Sequence, residues 1–100
     1  MPKTTQIRTY DVRPDRLEEW ITKFHNLIVP LRHELGFHID GSWIDYERSQ
    51  HLWVMTYDGT QTFADANAAY WASPKRAALG IEPSDYLTAE ESRTVHSSFD

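Results

Sequence analysis

A chain of 100 residues, 40% hydrophobic and 13% aromatic, has enough apolar material for one modest core, which excludes a two-domain organisation and broad disorder. Fifteen acidic against ten basic residues leave a formal charge of −5, and with Arg and Lys scattered, nucleic acid is a poor partner. No cysteine is present, so disulfides, thiolate metal sites and a cysteine nucleophile are excluded. No apolar run approaches a membrane span and MPKTTQIRTY lacks the apolar core of a signal peptide, which makes the cytoplasm the expected location.

Thr5 to Val12 is predicted as the first strand, with Ile7 and Thr9 on one face and Arg8, Tyr10 and Val12 on the other. Pro14-Asp15 opens a helix. Leu17, Trp20, Ile21, Phe24, Leu27, Ile28, Leu31 and Leu35 step by three and four residues, drawing one apolar stripe along about five turns, which Gly36 stops. Pro30 lies inside this helix, where it removes an amide donor and crowds the carbonyl of Asn26, so a kink is expected there and not an end. Phe37 to Tyr57 reads as a hairpin of two strands about the polar run Glu47-Arg48-Ser49-Gln50. Its second strand is apolar on both parities, with Leu52 and Val54 on one face and Trp53, Met55 and Tyr57 on the other. Both faces then need cover. In so short a chain one cover comes from its own helices and the other from a second copy.

A second helix is predicted at about Thr62 to Ala72, with Phe63, Ala66, Asn67 and Tyr70 inward. Ser73-Pro74 starts a short helical piece to Leu79, since Ser is a good N-cap and Pro suits the first helical position. Residues 80–87 form an irregular loop, and Glu91 to Phe99 is the last strand, with Val95 and His96 on opposite faces. The order is β-α-β-β-α-β. This is the α+β, ferredoxin-like pattern: a four-stranded antiparallel sheet with two helices on one face.

Arg8-Thr9-Tyr10, Pro30-Leu31, Gly36-Phe37, Gly41-Ser42-Trp43 and Trp53 to Tyr57, in this order, give the chain a resemblance to the NIPSNAP family within the dimeric α+β barrel group. The resemblance spans most of residues 1–100 as a single domain. It implies a homodimer whose sheets pack face to face, with a pocket in each subunit between sheet and helices. The stretch Thr60-Gln61-Thr62-Phe63 departs from the pattern, lacking an arginine expected soon after the third strand. Such barrels host monooxygenases, cyclases, isomerases, lyases and haem enzymes, so the fold alone settles no activity.

If the helices cover the face bearing Ile7 and Thr9, adjacency in the sheet and the similarity to related barrel cyclases imply a pocket lined by Trp53, Met55 and Tyr57, with His38 and Asp40 from the neighbouring strand. From the helices Trp20, Ile21, Phe24, His25, Tyr70 and Arg76 look onto it. Tyr70 before the Ser73-Pro74 break resembles a position in barrel cyclases, where a His-Pro turn and a further His follow; here Arg76 follows. The catalytic candidates are His38 or His25 as base, Tyr70 as proton donor or orienting group, and Arg76 as the charge that stabilises an enolate-type anion. The ligand-binding candidates are Trp20, Phe24, Trp53, Met55 and Tyr57, all of which also suit a plain core. His33 and His51 are read as surface residues, and His96 as facing either the pocket or the dimer interface.

No metal is expected. His25 and His33 are eight residues apart, about 12 Å along a helix, and neither HxxxH nor a nucleotide-binding glycine motif occurs. Beyond the fold and the availability of histidine nothing points to haem, so no cofactor is expected. Two functions suit the sequence. One is a small cofactor-independent enzyme acting by acid–base chemistry on an apolar, aromatic or polyketide-like molecule. The other is a non-catalytic ligand-binding or assembly protein with an aromatic core.

Overall fold

The structure, a computed structural model, describes residues 3–99. Strand β1 (Thr4–Val12) leads through a 3-10 turn (Pro14–Arg16) into helix α1 (Leu17–Lys23), a π-helical turn (Phe24–Ile28) and helix α2 (Val29–Glu34). The hairpin strands β2 (Phe37–Asp45) and β3 (Gln50–Tyr57) follow, then helices α3 (Phe63–Ala72) and α4 (Pro74–Ala78), a 3-10 turn (Pro83–Asp85) and strand β4 (Leu87–Val95). The sheet order is β2-β3-β1-β4 and every pairing is antiparallel. This is the ferredoxin-like arrangement. No helix among the described residues is long and apolar enough to cross a membrane.

A kink is expected at Pro30; what the helix carries is a π turn just upstream, at Phe24–Ile28. Pro30 has no amide to donate, and its ring crowds the carbonyl one turn back. Just upstream the helix widens, and the amide of Val29 reaches the carbonyl of Phe24, an i to i−5 bond of the kind found in π-bulges. The helix runs on past Pro30. It ends at Gly36, whose φ of 95° is the left-handed conformation that glycine adopts without strain. Thr62 and Ser73 cap α3 and α4, each accepting a backbone amide on its side-chain oxygen.

Which sheet face meets the helices is decided by register. Residues directly opposite in an antiparallel pair share a face. Arg8 lies opposite Trp53 and Tyr10 opposite His51, so Arg8, Tyr10 and Val12 face the helices and are buried. Ile7 and Thr9 lie opposite Val54 and Leu52, on the outer face. The expectation that Ile7 and Thr9 lie under the helices is therefore corrected, whereas Trp53, Met55 and Tyr57 do lie there.

Strand β2 carries a register shift between Ile39 and Gly41. Phe37 and Ile39 face the helices, and His38 lies opposite Thr56 on the outer face. Asp40 accepts a short hydrogen bond from the Thr56 hydroxyl, so it too points outward and not toward the helices as predicted. The extra residue resets the alternation, as a bulge does. Beyond it Ser42, opposite Trp53, turns to the helix side.

The last strand begins four residues earlier than expected, at Leu87, and ends at Val95. Its sequence, LTAEESRTV, alternates no apolar residues, because it is an edge strand buried only at Leu87. Phe99 is exposed beyond its end, and His96 lies outside the strand with an exposed side chain.

Candidate functional site

The core under the helices is aromatic. Tyr10 meets Trp20 and Trp53 edge-on at 5.9 and 5.8 Å, and Phe24 meets Trp53 at 5.0 Å. Such packing is tight and directional. A small cavity of about 30 Å³, more enclosed than the groove beside it, remains within it, lined by Tyr10, Trp20, Phe24, Trp53, Tyr70 and Arg76 among others. Beside it lies an open groove of about 570 Å³ between the end of α3, α4, the 79–86 loop and β4. Cavity and groove share Trp71, Arg76, Pro83, Leu87 and Glu90. They form one site with an enclosed end and an open end.

Arginines occupy the enclosed end. Arg32 is 2% exposed and Arg76 5%, and both line the cavity. The Arg32 guanidinium lies 3.5 Å from the centre of the Tyr70 ring and 4.7 Å from that of Phe37. Its Nη1 donates to Asn67 Oδ1 at 2.8 Å. Burial, with the nearby positive charges of Arg8 and Arg76 adding, pushes its pKa down to about 10; it remains a cation at neutral pH. Arg76 Nη1 donates to the Ile81 carbonyl at 3.1 Å, and its guanidinium stacks 4.6 Å from the Trp71 ring. The Tyr70 ring is close to both cations, 3.5 Å from Arg32 and 5.8 Å from Arg76.

Arg8, also buried, donates from Nη1 to the Tyr10 hydroxyl at 3.3 Å and lies 5.4 Å from the Trp53 ring. Burial holds the Tyr10 phenol above its ordinary pKa, against the pull of Arg8. None of these three arginines is in an ion pair among the described residues. Two carboxylates line the site: Glu82, in the groove alone, and Glu90, an exposed residue on the edge shared by cavity and groove.

The predicted site residues divide. Trp20, Phe24, Trp53, Tyr70 and Arg76 are brought together at the cavity. Met55 and Tyr57 are buried on the same sheet face but lie outside the lining, Tyr57 packing on Phe37 at 5.1 Å. His38 is not brought to the cavity. Its side chain is 63% exposed on the outer face and lies 3.9 Å from Asp58. His25 is also exposed, its ring edge-on to Phe24 at 5.5 Å. His51, read as a surface residue, is fully buried, because its parity on β3 is that of Trp53 and Met55.

Arg8, Arg32 and Glu90 were not among the predicted site residues. Arg8 alternates with Tyr10 and Val12 on the face that register selects. Arg32 continues the helical stripe, four residues after Ile28 and eight after Phe24. Both spacings are visible in the sequence, but a pattern reading assigns charged residues to solvent. Among the described residues, no group of three His, Asp or Glu is gathered in a way that could hold a metal ion.

The NIPSNAP family model matches residues 5–98. The chain is similar in structure to an uncharacterised NIPSNAP domain protein from Burkholderia xenovorans, at 18% identity and a TM-score of 0.80, covering 97% of each chain. A NIPSNAP family protein from Agrobacterium tumefaciens superposes with a TM-score of 0.83 at 14% identity, over 98% of this chain and 96% of that one. A candidate antibiotic biosynthesis monooxygenase from Nitrosomonas europaea gives a TM-score of 0.71 at 10% identity, over 97% and 91%. At these identities the likenesses show the fold. Among curated proteins, no sequence matches the chain.

Proposed function

The chain belongs to the NIPSNAP family, and we propose that it is a small cofactor-independent enzyme acting by acid–base chemistry on an apolar or aromatic molecule held between sheet and helices. The observation that supports this is the position of Arg76 at the junction of the enclosed cavity and the open groove. Removing a proton beside a carbonyl leaves negative charge on oxygen. A guanidinium fixed in a low-dielectric wall stabilises that charge where it develops.

With His38 and His25 outside the cavity, the base falls to Glu90, which, unlike Glu82 in the groove alone, lines the edge shared by groove and cavity. Tyr70 orients the two guanidiniums by offering its ring to both. The enolate-type anion can rearrange, cyclise, eliminate or give an electron to oxygen, and the name of the Nitrosomonas europaea neighbour lends support to the last. Incubating the protein and its Arg76→Ala variant with a panel of aromatic ketones and lactones tests the reading. Turnover that falls about 10²–10³-fold in the variant, as for a lost oxyanion donor, supports it. Tight binding without turnover across the panel favours the ligand-binding alternative.

The same proposal includes a homodimer in the cytoplasm. The outer sheet face presents Trp43 at 58% exposure and Ile7 at 39%, with Leu52 and Val54 beside them through the pairings Trp43 to Leu52 and Ile7 to Val54. A second copy applied to this face covers it, as the resemblance to dimeric barrels implies.

A further inference from the structure

We propose that the enclosed end of this site is a receptor for the anionic head of a small organic monocarboxylate, gripped by Arg32, Arg76 and the indole N–H of Trp53. The inference rests on the reading of the cavity as the small-molecule site and names the class of molecule it takes.

The argument begins with hydrogen-bond accounting. Buried polar groups are nearly always partnered, and those that are not call for an explanation. Among the described residues, the buried side-chain polar atoms without a partner are Arg32 Nε, Arg76 Nε and Trp53 Nε1. All three residues line the one cavity. Each orphan atom is an N–H donor, and none is an acceptor. A ligand that satisfies them has to bring acceptors alone.

Charge points the same way. Arg32 and Arg76 are buried cations without a carboxylate partner, and Arg8 lies near enough to act on Arg32 through its charge. Burying a charge without a counter-charge is costly. Cation–π stacking on Tyr70, Phe37 and Trp71 offsets part of that cost and leaves the net charge in place. A carboxylate supplies both the missing negative charge and two acceptor oxygens suited to guanidinium N–H groups.

Size sets the rest of the ligand. The enclosed cavity, at about 30 Å³, has room for a head group and not for a whole substrate. The groove continues from it at about 570 Å³, with Trp71, Ile81 and Leu87 as apolar surface for a tail. Glu90, on the shared edge, disfavours a second carboxylate there. The ligand is thus a monoanion with an apolar body.

The test is calorimetric titration of the folded protein with acetate, phenylacetate and 4-phenylbutanoate, each beside its neutral amide and with an aromatic ketone as a further neutral probe. The acids are expected to bind about tenfold or more tightly than the amides, as for a lost charged hydrogen-bond partner, and phenylacetate more tightly than acetate. Arg32→Met and Arg76→Met are expected to abolish the preference for acid over amide, with His33→Ala as a surface control that keeps it. Should a variant fail to fold, a wild-type melting temperature that rises with phenylacetate and not with phenylacetamide carries the same information. Equal binding of acid and amide overturns the carboxylate inference and leaves the small-molecule site standing. Absence of binding by acids, amides and ketone alike overturns both.

Discussion

The indole N–H of Trp20 donates to Nδ1 of His51 at 3.1 Å, and this one bond decides where the imidazole keeps its proton. Nδ1 is the acceptor, so Nε2 carries the hydrogen and donates to Ser42 Oγ at 2.7 Å. Both ring nitrogens are occupied in a ring that is fully buried. His51 is therefore a neutral tie between helix α1, β3 and the bulged strand β2. Burial, with a smaller contribution from the charge of His25, pushes its pKa down to about 4 from 6.5.

That depression gives the first prediction. Above pH 6.5 the ring is neutral in both the folded and unfolded chain and its contribution to stability is whole. As pH falls below 6.5 the unfolded chain takes up a proton that the folded one refuses, until about pH 4. Wild type should lose on the order of 3 kcal/mol across this window through His51. Urea unfolding at stepped pH checks it: the His51→Phe variant should show a shallower slope between pH 6.5 and 4, and an unchanged slope would refute the assignment.

Arg32→Met should raise the stability of the unliganded protein while weakening carboxylate binding. The substitution removes a buried cation that has no counter-charge and keeps the apolar stem, and exchanges of buried charge for apolar volume gain about 1–4 kcal/mol in favourable cases. Denaturant midpoints measured without ligand give the sign. A clear loss of stability would mean that the Asn67 bond and the Tyr70 contact outweigh the burial of charge.

Sedimentation at micromolar concentration should give a mass near twice 11.7 kDa. Trp43→Glu, on the outer face, should shift the protein to monomer without unfolding it, because the indole has no place in the core under the helices. A wild-type chain that sediments as a stable monomer would sink the face-to-face pairing.

If a substrate from the ketone and lactone panel is turned over, Glu90→Gln should reduce the rate by about 10²–10⁴-fold, the usual cost of a positioned base. His38→Ala and His25→Ala should turn over like wild type, since both rings stand outside the cavity. The reverse pattern would return the base to a histidine.

The buried Tyr86 hydroxyl receives a hydrogen bond from Lys23 at 2.6 Å and donates one to Glu19 at 2.7 Å, while Arg16 stacks 4.2 Å from its ring. The bond from Tyr86, helped by Arg16 and Lys23, holds the Glu19 carboxyl at about 2, below its ordinary 4.5. Its contribution is present above pH 4.5 and is lost as pH falls through about 2. Tyr86→Phe should move the Glu19 titration, followed by carboxyl carbon NMR, back toward 4.5. The same variant should loosen the turn that carries Pro83, a wall of the groove.

What the sequence determined by itself is what depends on neighbours along the chain. The stripe from Leu17 to Leu35, the stop at Gly36, the cap at Ser73 and the hairpin about the polar run Glu47 to Gln50 all follow from local periodicity and turn chemistry, and with them the β-α-β-β-α-β order. Trp20, Phe24, Trp53, Tyr70 and Arg76 could be gathered as candidates from these patterns together with the resemblance to the barrel enzymes. Which face of the sheet is the inside could not, since alternation gives two parities and names neither. Register chose Arg8 over Ile7, and one extra residue near Asp40 turned His38 outward and Ser42 inward. The buried charges were decided at the same level. Arg8, Arg32 and His51 sit at positions whose spacing is that of the core, but desolvating a charge or an imidazole is unfavourable unless specific partners surround it, and those partners, Tyr70, Asn67, Trp20 and Ser42, come together only when helices and sheet have closed.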